Sequence, residues 1–279
     1  MDLVYLYFHY YPNAPVAYVA LAIFAIIDIY LILRIITQKA PSFMFKLIIL
    51  ATVETLGFVI RILCIKTDVT FAKYLIMNIF MLLAPNILAI VNYNTIAHIL
   101  TLANIETDKI YLKSKPITIF FIACTITSSM FQAVGGSIQA LAQYRVVGPK
   151  LAITGLSLQL SIFVLFTVLA TYVFRKNSIQ YYVKGVDNPK KKAITRIYIV
   201  LALMAIRVIY RLAQFATGST GIIATHEWAL YVFDPLIVAT CFLIFSTLNT
   251  CFPKRDEEDV CTLEDLEIGK EVSSVVDIK

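Results

Sequence analysis

Six ionisable residues, apart from Asp28, are paired by type inside or at the mouth of three long apolar runs, where an uncompensated charge costs about 2.5–3.5 kcal/mol on insertion scales. They are Glu54 and Arg61 in one run, Arg207 and Arg211 in a second, and Glu227 and Asp234 in a third. Three acids thus stand against three arginines. Glu54 and Arg61 are seven residues apart and share one helix face. Arg207, Arg211 and Gln214 follow i, i+4, i+7, and Glu227, Tyr231 and Asp234 repeat that spacing. Such stripes fit two kinds of chemistry: ion pairs that fix helix register, or a shielded path for a charged group. Uncharged stripes accompany them. Asn78, Pro85 and Asn92 are spaced by seven, with Tyr93 next in line. Thr125, Gln132 and Gln139 are also spaced by seven, beside Gly135 and Gly136, and Gly155 precedes Gln159 by four. Small residues let helices approach, and amides cross-link them by hydrogen bonds.

The elements that position these groups follow from composition. Of 279 residues, 59% are hydrophobic and 15% charged, and the mean hydropathy is +0.80. A soluble domain of this size cannot hide that much apolar surface. Lipid as the outer solvent removes the difficulty. Seven runs are long enough to span a bilayer, at about 16–36, 43–65, 74–100, 117–141, 150–174, 194–216 and 228–252. The third carries Pro85, which predicts a kink or tilt. Strand alternation is absent, which argues against a β-barrel. The fold expected is all-α: a polytopic seven-transmembrane-helix bundle over 16–252. Residues 1–15 form a short extracellular segment, and 253–279 an acidic cytoplasmic tail without helical periodicity.

Orientation follows from Lys and Arg. One set of connecting segments and the tail holds 17 of them, the opposite set only Lys66, Lys73, Arg145 and Lys150. The N-terminus is therefore expected outside and the C-terminus inside. MDLVYLYFHYYPNAP lacks the basic start and small-residue cleavage site of a signal peptide, so the first span is expected to be retained as an anchor. Counting about 1.5 Å per residue places the charged residues as a layer in the outer half of the bundle. Asp28 lies nearer the cytoplasmic side, with no obvious partner at its depth. The net charge of +6 comes from this topogenic surplus; nucleic-acid binding is not expected.

The five cysteines are scattered, with no CxxC. Cys251, at an apolar-to-basic border, is a weak signal for palmitoylation. The three histidines, His9, His98 and His226, fall on opposite faces of the membrane and cannot share one metal. No G-x-S-x-G, H-E-x-x-H or P-loop is present. The chain is therefore read as no enzyme, with no cofactor and no metal.

Several stretches resemble one family: ETLGFVIRIL (Glu54–Leu63), LAPNILAIVNYNTIAHIL (Leu83–Leu100), FQAVGGSI (Phe131–Ile138), GLSLQL (Gly155–Leu160) and RVIYRLAQFATGSTGIIATHEWALYVFD (Arg207–Asp234). With YYPNAPVAYVALAIFAI at the start, they resemble in order the fungal lipid-translocating exporter family, seven-helix membrane proteins associated with aminocholesterol resistance. The resemblance implies release of sphingoid long-chain bases or tolerance of toxic amphipaths, and, in one branch, porphyrin transport. Two departures stand out: the family usually has acids where this chain has Gln214 and Thr125.

The function expected is therefore translocation or export of lipids or cationic amphipaths. The partners are membrane lipids or amphipathic small molecules, and the location the resemblance implies is the plasma membrane, with the vacuole and the endoplasmic reticulum left open by the residues themselves. Glu54, Arg61, Asn92, Tyr93, Gln132, Gln159, Arg207, Arg211, Glu227, Tyr231 and Asp234 are expected to receive the head group. The alternative is a seven-helix lipid or stress sensor, which the same topology fits.

Overall fold

The structure is a computed structural model and describes residues 8, 12–67, 69–102, 114–139, 141–176, 183, 186–218, 221 and 227–252. The tail 253–279, most of the segment 1–15, His9 and His226 lie outside the described residues.

Helix α1 runs Ala14–Thr37. A 3-10 turn at Ser42–Met44 leads into α2, Phe45–Lys66. Then come α3, Phe71–Leu102, α4, Ser114–Ile138, α5, Val147–Arg175, and α6, Pro189–Thr217. The seventh span is two pieces, α7 at Glu227–Phe233 and α8 at Pro235–Leu248. Counting that span once, seven helical stretches among the described residues are long and apolar enough to cross a membrane, each within a few residues of the run expected.

Local chemistry sets several boundaries. Proline opens α1 (Pro15) and α6 (Pro189) within the first helical positions, where its missing N–H costs nothing. Asn188, at φ 50°, turns the chain into α6, a conformation Asn tolerates. Pro85 sits inside α3, yet that helix continues through it. Span seven behaves differently. Pro235 has no N–H to give the Tyr231 carbonyl, and the helix is interrupted at Asp234. The backbone still connects across the break, through Asp234 N–H to Leu230 O at 3.1 Å and Val238 N–H to Asp234 O at 3.1 Å.

Neighbours in sequence pack as neighbours in space: α1 on α2, α2 on α3, α3 on α4, α4 on α5 and α5 on α6. Helix α8 closes the bundle against α6 and α1. The α4–α5 pair is the most extensive and rests on glycine. A Cβ on Gly135 would lie 2.4 Å from Ala152 N, and one on Gly155 would lie 2.8 Å from Ser128 O, so the backbones touch only because both positions lack a side chain. Helix α3 stands at the centre, with Leu88, Val91, Ile96 and Ile99 fully buried. The periphery is apolar: Val19, Ile26 and Leu33 of α1 and Val164 and Val168 of α5 are exposed, Ile26 at 67%. An apolar rim around a core that holds charges suits a lipid solvent.

Candidate functional site

Helices α2, α6 and the seventh span bring their ionisable residues together. Arg207 donates through Nε to Asp234 Oδ1 at 2.5 Å, and Arg211 donates through Nη2 to Asp234 Oδ2. Arg61 donates through Nη2 to Glu227 Oε1 at 3.0 Å and through Nε to the Tyr231 hydroxyl at 3.1 Å. The i, i+4, i+7 stripe of span seven thus meets both arginine-bearing helices. Asp234 bonds two guanidiniums at the helix break, a geometry that fixes α6 against the junction of α7 and α8. Buried pairs of this kind offset the cost of removing charge from water only when their hydrogen bonds are made.

Aromatic rings enclose the Arg61 side. Its guanidinium carbon lies 5.4 Å from the Tyr231 ring centre and 5.5 Å from that of Phe8, within cation–π range. Phe58 stacks between Phe24, at 5.3 Å, and Tyr231, at 6.4 Å. The second oxygen of Glu227 accepts the Asn13 backbone N–H at 2.8 Å, so this mouth of the bundle is the end at which α1 begins.

Glu54 completes the charged group. It is 2% exposed and interacts electrostatically with Asp234, Arg207 and Arg211. Its Oε2 is buried with no hydrogen-bond partner among the described residues, and so is Nη2 of Arg207.

A second, uncharged group links α3, α4 and α5. Gln132 donates to Gln159 Oε1 at 2.7 Å and to Ser128 Oγ at 3.0 Å. Gln159 in turn donates to Asn86 Oδ1 at 2.9 Å. Ser128 donates to Gly155 O at 2.7 Å, and Asn86 to Leu82 O at 2.7 Å. All four side chains are buried.

The two groups lie at one depth. Gly57 packs against Phe80 and Met81. Glu54, about 4.5 Å further along α2, is therefore level with Ala84 on the antiparallel α3. Gly136 faces both Asn78 and Phe215. Arg207 and Asn86 each lie eight residues from those contacts, about 12 Å in the same direction. Glu54, the pairs of Asp234 with Arg207 and Arg211, and the amide chain form one polar stratum through an apolar bundle, while the Arg61–Glu227 pair lies seven residues, about 10 Å, nearer the mouth.

Not every expected residue joins it. Asn92 and Tyr93 sit about 9–10 Å beyond Asn86 on α3, toward the end that carries Cys251. Tyr93 shares a hydrogen bond with Thr125 at 3.2 Å and packs on Phe121 and Phe166 with ring centres at 5.0 and 4.7 Å. Asn92 is 0% exposed, and neither of its amide atoms has a hydrogen-bond partner among the described residues. Asn86, absent from the expected set, is the link between α3 and the glutamines. It falls one position off the Asn78–Pro85–Asn92 stripe, which hid it. Asp28, expected without a partner, accepts a hydrogen bond from Thr52 Oγ1 at 3.0 Å. Gln214 accepts from Arg211 Nη1 at 3.3 Å. Cys251 is fully buried, and Arg196 donates through Nη1 to its sulfur. Among the described residues no cluster of His, Cys, Asp and Glu fits a metal.

A seven-helix bundle with an apolar exterior and a charged stratum in its core defines a polytopic integral membrane protein. The chain belongs to the family described as RTA1 like protein, which matches residues 47–255 and so includes all six charged positions. It is 31% identical to protein RTA1 of Saccharomyces cerevisiae over 199 residues, 69% of this chain and 61% of that protein. It is 28% identical to protein RTM1 of Saccharomyces cerevisiae over 215 residues, 71% of this chain and 67% of that protein. It is 27% identical to protoporphyrin uptake protein 1 of Saccharomyces cerevisiae over 195 residues, 69% of this chain and 64% of that protein. The chain spans about three fifths of the length of the RTA1 protein it matches. No solved structure matches it.

Proposed function

We propose that the protein translocates lipids or amphipathic small molecules across the membrane and thereby contributes to resistance to toxic amphipaths. The polar stratum receives the head group while the tail stays in the apolar surround. The observation that carries this reading is the buried charge layer with unused capacity. Glu54 Oε2 and Arg207 Nη2 are shielded from solvent and make no hydrogen bond among the described residues, whereas a purely structural ion-pair layer has reason to close every bond. Pro235 supports it further: it withholds one backbone N–H beside Asp234, a local weakness at the depth of the charges where a helix can bend around a substrate. The printed name of one relative, protoporphyrin uptake protein 1, agrees with movement of an amphipathic molecule.

No P-loop is present in the sequence, so the driving force on this reading is a gradient, a partner or the substrate's own distribution. The Lys and Arg asymmetry of the connecting segments supports an N-out, C-in arrangement, and the family resemblance implies the plasma membrane.

The test is flux. The purified full chain is reconstituted in liposomes, and transbilayer movement of fluorescently tailed lipids, a sphingoid long-chain base included, is followed. Protein-dependent movement that Glu54→Ala abolishes, with the protein still folded, is the expected result. Binding without movement by a folded wild-type protein overturns translocation and leaves a sensor.

A further inference from the structure

The bookkeeping of charge in the stratum restricts what it can hold. Arg207 and Arg211 stand against Asp234 and Glu54, so the stratum is neutral when all four are ionised, and the Arg61–Glu227 pair nearer the mouth is neutral by itself. Asp234 is committed to Arg207 and Arg211, and Glu227 to Arg61. Glu54 is the third acid. It faces Arg207 within electrostatic reach, yet no hydrogen bond joins the two. The buried atoms of this group that make no hydrogen bond among the described residues include a carboxylate acceptor, Glu54 Oε2, and a guanidinium donor, Arg207 Nη2. The residues that bear them are 2% and 1% exposed.

A bare ammonium satisfies the acceptor, leaves the donor empty and makes the stratum positive. A bare phosphate or carboxylate does the converse. Either leaves a net charge among helices surrounded by lipid, which is strongly disfavoured. A head group with both charges meets both atoms and keeps the stratum neutral. The acceptor further requires an N–H donor, which a primary ammonium has and a quaternary one lacks. The oxyanion requires a donor, and a guanidinium N–H pairs well with phosphate or carboxylate.

We infer that the head group this protein binds is zwitterionic, with a primary ammonium on Glu54 and an oxyanion on Arg207. The inference rests on the translocation reading and narrows it: a sphingoid base, with its single positive charge, becomes the poorer substrate.

The experiment uses the purified full chain in liposomes and one fluorescent acyl tail on four head groups: a primary amine, a phosphate, phosphoethanolamine and phosphocholine. A fifth lipid, with an amino-acid head group, offers carboxylate in place of phosphate and tells the two oxyanions apart. Initial flux of the phosphoethanolamine lipid should exceed that of the amine or the phosphate lipid by about tenfold or more, one decade being about 1.4 kcal/mol of preference. The phosphocholine lipid should fall between them. Glu54→Gln removes the negative charge and should turn the preference toward the phosphate lipid; Glu54→Asp should retain the wild-type order. Competition of unlabelled phosphoethanolamine lipid against labelled substrate on the wild-type protein gives the same ranking without any variant. An amine lipid moved as fast as the phosphoethanolamine lipid overturns the inference and leaves translocation standing. No movement of any of the five by folded protein overturns translocation itself.

Discussion

Asp234 holds two guanidiniums, whereas Glu227 holds one in a more open place, 15% exposed at its side chain. That difference sets an order of costs. Asp234→Asn leaves Arg207 and Arg211 buried with their charge uncompensated, which costs about 3–5 kcal/mol. Arg61→Gln at the mouth leaves a single carboxylate that still reaches solvent, which costs about 1–2 kcal/mol. Thermal unfolding in detergent should therefore show a much larger fall for Asp234→Asn. Equal falls would mean that the two pairs are not differently buried. The residues of this layer were legible in the sequence because an ionisable group in an apolar run announces itself and spacing places it on a face. What spacing cannot give is which acid meets which arginine, or that Glu54 keeps an oxygen unused. Asn92 and Tyr93 share a run with Asn86 but not its depth. The i, i+7 reading of α3 selected Asn92 because it stays on the Pro85 face, whereas the residue that bonds Gln159 is Asn86, one position off that face.

At the scale of elements, the seven apolar runs were readable from length alone, and the glycines from their pairing on α4 and α5. Gly135→Ala and Gly155→Ala push a methyl into backbone at 2.4 and 2.8 Å and should each destabilise by about 1–3 kcal/mol. Gly136→Ala meets the movable end of Asn78 at 3.2 Å and should cost less. Thermal midpoints of the three variants give the order. The interruption of span seven was not legible, because Pro235 follows Asp234 in a run that is otherwise continuous in hydropathy. Pro85 sits in a similarly apolar run, and its helix does not break. Pro235→Ala supplies the missing N–H and should raise stability by about 1 kcal/mol. If the break serves opening of the bundle, flux should fall in the same variant; a rise in both sinks the role assigned to it.

For the whole molecule, the positive charges gather at the end where α1, α3, α5 and α8 finish. With all other cysteines replaced, a cysteine at Arg145 should react with a membrane-impermeant thiol reagent in intact cells. One at Lys191 should react only after permeabilisation, and the reverse pattern contradicts the N-out assignment. The account as a whole depends on α2, α6 and span seven meeting through their charges within the bilayer, and a charge exchange between α6 and span seven tests this most directly. Arg207→Asp and Asp234→Arg should each abolish folded protein and flux, and the double exchange should recover a substantial part of both, since it restores one acid and one base across the same interface. A double variant no better than either single one would contradict the convergence of these helices on a shared charge layer.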